Sequence, residues 1–205
     1  RSGDLSGAVA LCERGWYELP SGQRVELRAA VDACVKNTTL HLPTELQQLA
    51  DQLQPTARPV QTEFKFSNET TLSAARRMVC EQGKQTLALN FASAKNPGGG
   101  FLGGSVAQEE SLARSSALYP SLLAQQGYYV ANREYRSALY TDHMILSPDA
   151  PVFRTDDGDF LDQPYLLSFL TVPAVNAGAV AVNSPDLNDQ VLPTMQVRLT
   201  KLLAL

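Results

Sequence analysis

Apolar residues recur at helical spacing over residues 4–35, as Leu5, Val9 and Leu11 and then Leu27, Ala30, Val31 and Cys34, which predicts a mainly helical stretch. The tripeptide Pro20-Ser21-Gly22 divides it as a turn. Residues 40–59 are polar and marked by prolines, with one short helical piece over 45–53, and read as a lead-in to the core. From there elements alternate. Residues 62–66 predict a strand, and 71–82 a helix closed by Gly83. Residues 85–92, with Leu87, Leu89 and Phe91, predict a buried strand. A glycine-rich segment over 96–104 and a helix over 108–118 follow. Residues 144–147 and 152–154 look extended, and Asp156-Asp157-Gly158-Asp159 between Phe153 and Phe160 signals a hairpin. Residues 165–172 form the most apolar strand. Strands alternating with helices predict an α/β fold built on a mixed sheet flanked by helices. The chain divides into an N-terminal helical extension over 1–59 and a core domain over 60–205. It opens on Arg1 and closes on an amphipathic helix over 197–205 with no capping glycine, and so reads as trimmed.

Composition narrows the partners. The 205 residues are 44% hydrophobic and 19% charged, which suits a globular domain with its own core. A net charge of −4 argues against a DNA binder that neutralises phosphates with a basic face. An anionic ligand would have to be met largely by main-chain N–H groups. Cys12, Cys34 and Cys80 are far apart and odd in number, each in an apolar-periodic stretch, so buried free thiols are expected. There is neither an apolar run long enough to span a membrane nor a signal-peptide pattern, which points to the cytoplasm.

The chemistry gathers around the glycines. Gly98, Gly99, Gly100, Gly103 and Gly104 follow a predicted strand and precede a predicted helix. Glycine lets the main chain take positive φ and approach a ligand closely, and the helix N-terminus adds a partial positive charge. Strand, glycine loop and helix is a phosphate-binding order; a flexible turn is the plainer alternative. Gln108-Glu109-Glu110 opens the helix. Such carboxylates can simply complement the helix dipole, but one could orient a sugar while its neighbour does acid–base work. Neighbouring helical positions differ by about 100° in direction, so the two glutamates should not face one ligand together. A helix N-terminus also lowers a carboxylate's pKa, so an acid there needs burial or a nearby anion to raise it. Ser93 and Asn96 could bond a terminal ribose or cap the turn.

Other candidates carry less. His41 and His143 are the only histidines and lack a third ligand nearby, so no zinc site is expected. The Asp156–Asp159 segment lacks the downstream glutamate of a calcium loop. Tyr128, Tyr129 and Tyr135 could stack on a base, but a core role is the more usual one. Arg114 could pair with a carboxylate or approach phosphate, an i,i+4 ion pair with Glu110 being the plainer alternative. Arg76 and Arg77 read as a solvated helix face.

The string Leu89-Asn90-Phe91-Ala92-Ser93-Ala94-Lys95-Asn96-Pro97-Gly98-Gly99-Gly100, seven residues, then Gln108-Glu109-Glu110, resembles the signature of poly(ADP-ribose) glycohydrolases. Asn68-Glu69-Thr70-Thr71, Ser111 to Ser116, Tyr140 to Met144 and Ser147 to Arg154 resemble its microbial-type branch, so the likeness covers nearly the whole chain. The resemblance implies a macrodomain-like fold and an ADP-ribose cleft bounded by residues 98–100. It implies Glu110 as catalytic acid, Glu109 on ribose hydroxyls, Gln108 positioning neighbouring groups, and neither a metal nor a nucleotide cofactor. ADP-ribosylated proteins would be the partners. An N-terminal extension over the adenosine end would favour cleavage from chain ends. The family continues past the last helix into a further strand and a second phosphate loop that this sequence does not contain. Without them the diphosphate lacks one wall of its cleft, which counts against activity of the 205 residues alone. Two other readings share the loop: an ADP-ribose-binding module that does not hydrolyse, and a hydrolase of mono-ADP-ribosylated protein. Glu110 separates the first of these from the glycohydrolase, because a binding module needs the loop but not the acid.

Overall fold

The computed structural model describes residues 7–53 and 61–205; Leu5 and residues 54–60 of the predicted lead-in lie outside them. The first half runs α1 (Gly7–Arg14), β1 (Trp16–Glu18), β2 (Arg24–Glu26), α2 (Arg28–Asn37), β3 (Thr39–His41), α3 (Pro43–Gln52) and α4 (Thr71–Arg76), the last extended by a π-helical turn over Arg77–Glu81. Then come β4 (Leu87–Ala92), α5 (Gln108–Ser115), α6 (Leu118–Leu123), α7 (Gln126–Glu134), β5 (Met144–Arg154), β6 (Phe160–Pro173), α8 (Ala177–Asn183) and α9 (Asn188–Ala204).

The main sheet has the order β3-β5-β6-β4, with β4 parallel to β6 and the other pairs antiparallel. This is the mixed α/β sheet expected. On one face Leu72 of α4, Leu112 of α5, Leu118 and Leu122 of α6 and Tyr128 and Tyr129 of α7 bury against Ile145, Val152, Leu167 and Phe169. On the other, Leu46 of α3 and Leu202 of α9 pack on Met144, Leu170 and Val172. Burial on both faces explains why β6 reads as an almost unbroken apolar run.

Several expectations change. Residues 4–35 are not helical throughout. Gly15, at φ 80°, ends α1, and a short hairpin of β1 and β2 follows. Aromatic and branched residues favour strand there, and Tyr17 is fixed by stacking on Phe160 at 4.5 Å and by donating its hydroxyl to Leu161 O. Residues 62–66 are not a strand: no described residue pairs with them, and Phe66 is 97% exposed. Extended sequence without a neighbour to bond does not make sheet. In β4 the buried side chains are Ala88, Asn90 and Ala92, whereas Leu87 and Phe91 are more than half exposed and Leu89 is half-buried against Leu170 and Val172. The helix predicted over 108–118 breaks at Ser116, which takes extended backbone and bridges to Val152. The two extended pieces over 144–154 are one strand, bent by a bulge at Asp149, with φ 49° and its N–H donating to Ser168 Oγ. Cys12 and Cys34 are buried free thiols, but Cys80 is exposed. No helix among the described residues is long and apolar enough to cross a membrane.

The hairpin between β5 and β6 forms as expected, with Thr155 N bonded to Asp159 O and Gly158 at φ 93°. Asp156 accepts from Thr70 Oγ1 at 2.6 Å and Ser73 Oγ at 3.1 Å, so this turn docks on the start of α4. At the opposite end of the sheet from that turn, α9 is tied down by a buried cation. Arg198 donates to Asp142 Oδ1 at 2.9 Å, to Pro173 O at 2.8 Å and to Leu139 O at 3.0 Å, while Lys201 donates to Asp142 Oδ2 at 2.7 Å. One carboxylate therefore serves two cations, and its two partners hold its pKa below the ordinary range against the opposing effect of burial. Asp142→Asn should leave both cations without a counter-charge and cost about 3 kcal/mol of stability, by the usual cost of breaking a buried pair. Urea unfolding of the two proteins measures it.

Candidate active site

The parallel pair β4–β6 ends with Ala92 beside Pro173, and Ala174 N bonds Ala92 O. The glycine loop therefore leaves the carboxyl end of the sheet, where open α/β folds place their ligands. Alternate main-chain groups of β4 point to β6. The others point to its outer edge, and α5 meets them there. Gln108 accepts from Phe91 N at 2.8 Å and donates to Leu89 O at 2.8 Å, occupying the edge as a neighbouring strand residue would. Its amide also donates to Thr71 Oγ1 at 3.1 Å, tying in the start of α4. Glu109 takes the next outward-facing group, Ser93 N, at 2.7 Å. Glu110 reaches the loop itself, where Oε1 accepts from Gly100 N at 2.9 Å.

The loop conforms to these side chains. Gly98 and Gly99 adopt φ 68° and 62°. A Cβ on Gly99 would lie 3.1 Å from Glu109 Oε2 and closer still to Glu110 Oε1. Thus both carboxylates converge on one glycine. The expectation that they could not share a face is corrected: directions differ at Cα, but three rotatable bonds let each glutamate turn back over the first helical turn. A Cβ on Gly98 would instead strike Phe101, whose buried ring meets Tyr119 edge-on at 4.6 Å.

Two of the loop amides are engaged within the protein: Gly99 N donates to Asn96 O at 3.0 Å and Gly100 N to Glu110 Oε1 at 2.9 Å. A phosphate can use the Gly100 N–H only by displacing the glutamate oxygen. Ser93 Oγ accepts from Lys95 N and Asn96 N, which is the turn-capping geometry, and the Asn96 side chain is exposed.

Glu109 is 3% exposed and Glu110 9%. Burial is the main reason the Glu109 carboxyl is pushed up to about 7; the charge of Glu110 adds to it, and bonds from Ser93, Asn90 and Gly98 oppose it. Asn90, fully buried, donates to Thr171 Oγ1 at 3.1 Å and lies 3.5 Å from Glu109 Oε1. Behind it Tyr128 and Tyr129 are fully buried core residues of α7. Arg133, later on α7, donates Nε to Lys95 O at 2.9 Å and so braces the turn from outside. Nothing in the sequence marked it, since a lone arginine late in a helix reads as surface charge. Arg114 does not pair with Glu110 but donates to Ser105 O at 2.8 Å, closing the far end of the loop. Glu69 holds Arg77. His41 bonds Thr39 and Glu45, and His143 bonds Thr141, so neither is bonded to Glu109 or Glu110.

Two outcomes follow from this geometry. Gly99→Ala should destabilise the protein by about 1–3 kcal/mol, because the residue must keep a left-handed backbone and the new methyl group meets both carboxylates; thermal unfolding checks it. For Glu109, the folded state binds the proton more tightly than the unfolded chain. Its contribution to stability is then intact below pH 4.5 and is lost as pH rises toward 7. Glu109→Gln should flatten that decline in urea titrations across the same range; an unchanged slope would count against a neutral Glu109.

The family described as microbial-type PARG, catalytic domain, matches residues 6–155. A crystal structure of poly(ADP-ribose) glycohydrolase from Thermomonospora curvata superposes with a TM-score of 0.92 at 41% identity, covering 99% of this chain and 73% of that one. The same enzyme bound to the inhibitor ADP-HPD gives 0.89 at 41% identity, over 99% of this chain and 72% of that one. The glycohydrolase from Deinococcus radiodurans in complex with ADP-ribose gives 0.80 at 46% identity, over 88% of this chain and 72% of that one. No curated protein gives a match. With a glycine loop locked to Glu109 and Glu110, and a family match across most of its length, this chain belongs to the microbial-type poly(ADP-ribose) glycohydrolase family.

Proposed function

We propose that the protein hydrolyses the ribose–ribose O-glycosidic bonds of poly(ADP-ribose) and releases ADP-ribose, with Glu110 as acid and then base. The observation that carries this reading is the Glu110 carboxylate, almost buried and fixed by the Gly100 N–H. A module that only binds ADP-ribose needs the loop but not an acid held in this way. The N–H marks Oε1 as the acceptor oxygen, so the proton of the neutral acid sits on Oε2. From there it passes to the leaving ribose oxygen as the glycosidic bond breaks and an oxocarbenium-like sugar forms. The carboxylate left behind takes a proton from the attacking water, and the cycle closes.

Glu109, with its carboxyl raised to about 7, can carry a proton of its own and either donate to or accept from ribose hydroxyls. The substrate's own diphosphate stabilises the developing positive charge. Ser93 and Asn96 flank the same turn and belong to the ribose side of the cleft, with residues 98–100 on the diphosphate side. By this reading ADP-ribosylated proteins are the cellular partners, DNA is not, and the compartment is the cytoplasm.

Replacing Glu110 by Gln keeps the shape and the Gly100 bond but removes the transferable proton. Release of labelled ADP-ribose from polymer should fall by about 10²–10⁴-fold, with ADP-ribose still bound. Equal release by both proteins would remove Glu110 from the mechanism.

A further inference from the structure

A groove of about 610 Å³ lies between the loop after α7 and the N-terminal half of α9, within the size range of small-ligand clefts. Tyr135 and Tyr140 line it from the loop, Pro193 and Val197 from the helix, and Asp189 and Gln190 supply exposed polar groups. Tyr135 leaves 48% of its surface open. Tyr140 stands at φ 60°, a left-handed backbone that bulky residues rarely adopt. It is held there by its N–H on Ser137 O at 3.2 Å and by Arg198, which donates to Tyr140 O at 3.4 Å. A buried arginine thus helps keep an aromatic side chain in a conformation it would not choose, on the wall of a cleft.

Helix α7 ties the groove to the turn that follows Ser93. Arg133, two residues before Tyr135, grips Lys95 O in the turn that follows Ser93. Asn132 Oδ1 receives both the N–H and the hydroxyl of Thr141, tying α7 to the groove wall.

The chemistry of the bond supplies the occupant. In the reaction proposed above, the leaving oxygen belongs to the ribose of an adenosine, so a purine base sits one sugar carbon from the bond that breaks. We propose that this groove receives the adenine of the leaving ADP-ribose unit, stacked on Tyr135 and Tyr140, with Gln190 and Asp189 on its amine edge. A carboxamide can bond adenine through N6 and N7 together, and a carboxylate accepts from the N6 amine. Asp189 also repels a phosphate, which fixes the base rather than the diphosphate as the group that enters. Asp142 is already neutralised by Arg198 and Lys201. This subsite rests on the glycohydrolase reading.

The test is a binding ratio. In Glu110→Gln protein, which holds polymer without cutting it, the affinities of a two-unit ADP-ribose oligomer and of ADP-ribose are compared by calorimetry. The oligomer should bind about tenfold more tightly, the advantage expected of a stacked base. Tyr135→Ala or Gln190→Ala, added to that protein, should shrink the advantage and leave the affinity for ADP-ribose unchanged. An oligomer that binds no more tightly than ADP-ribose overturns the proposal. So does an advantage that survives both substitutions, or an equal loss for both ligands. Hydrolysis by the unaltered protein is scored separately: if no ADP-ribose is released, the hydrolase reading fails, while the binding ratio still decides the groove.

Discussion

The site depends on one constraint: the first turn of α5 is fastened to the main chain of β4 and its loop by three consecutive side chains. Gln108 takes Leu89 O and Phe91 N, Glu109 takes Ser93 N, and Glu110 takes Gly100 N. The helix N-cap, Ala107, makes no side-chain bond to the helix. The polar groups of this turn are therefore turned outward to another element. Carboxylates accepting main-chain N–H bonds are held more firmly than ion pairs between flexible chains, because the donors cannot move independently. The glycine loop is as much a receptacle for these glutamates as for a ligand, since a side chain at residue 99 would collide with both.

Placing two carboxyls together has an electrostatic cost, and the fold answers it by keeping one close to neutrality. Glu109 is the more buried and gains its raised pKa mainly from desolvation. Two like charges converging on one glycine repel, and a proton on either carboxyl removes that repulsion.

Much of this could be read from residue order. The strand, the glycine turn and the helix that opens on Gln108-Glu109-Glu110 fall where residue order puts them, because positive-φ turns and helix starts are recorded in local sequence. The β5–β6 hairpin was equally legible, since Gly158 marks its turn. What escaped was non-local. Residues 62–66 have the composition of a strand, but a strand exists only if another chain segment bonds to it. The face of β4 was misjudged because Asn90 is buried for its bonds to Thr171 and its nearness to Glu109, partners that lie 81 and 19 positions away. Arg198 looks like a solvated helix residue, although it links α9 to the ends of two other segments. The convergence of the two glutamates was missed because helical periodicity describes Cα directions and not the reach of a long side chain.

The Gln108 carboxamide has a second consequence. Among the described residues β4 has one strand neighbour, and the main-chain groups on its other side need partners from elsewhere. Gln108 fills the central donor and acceptor of that side from a helix, which cannot itself be extended into further sheet. The side chain that fastens α5 to β4 thereby also closes these two groups to pairing with a foreign strand.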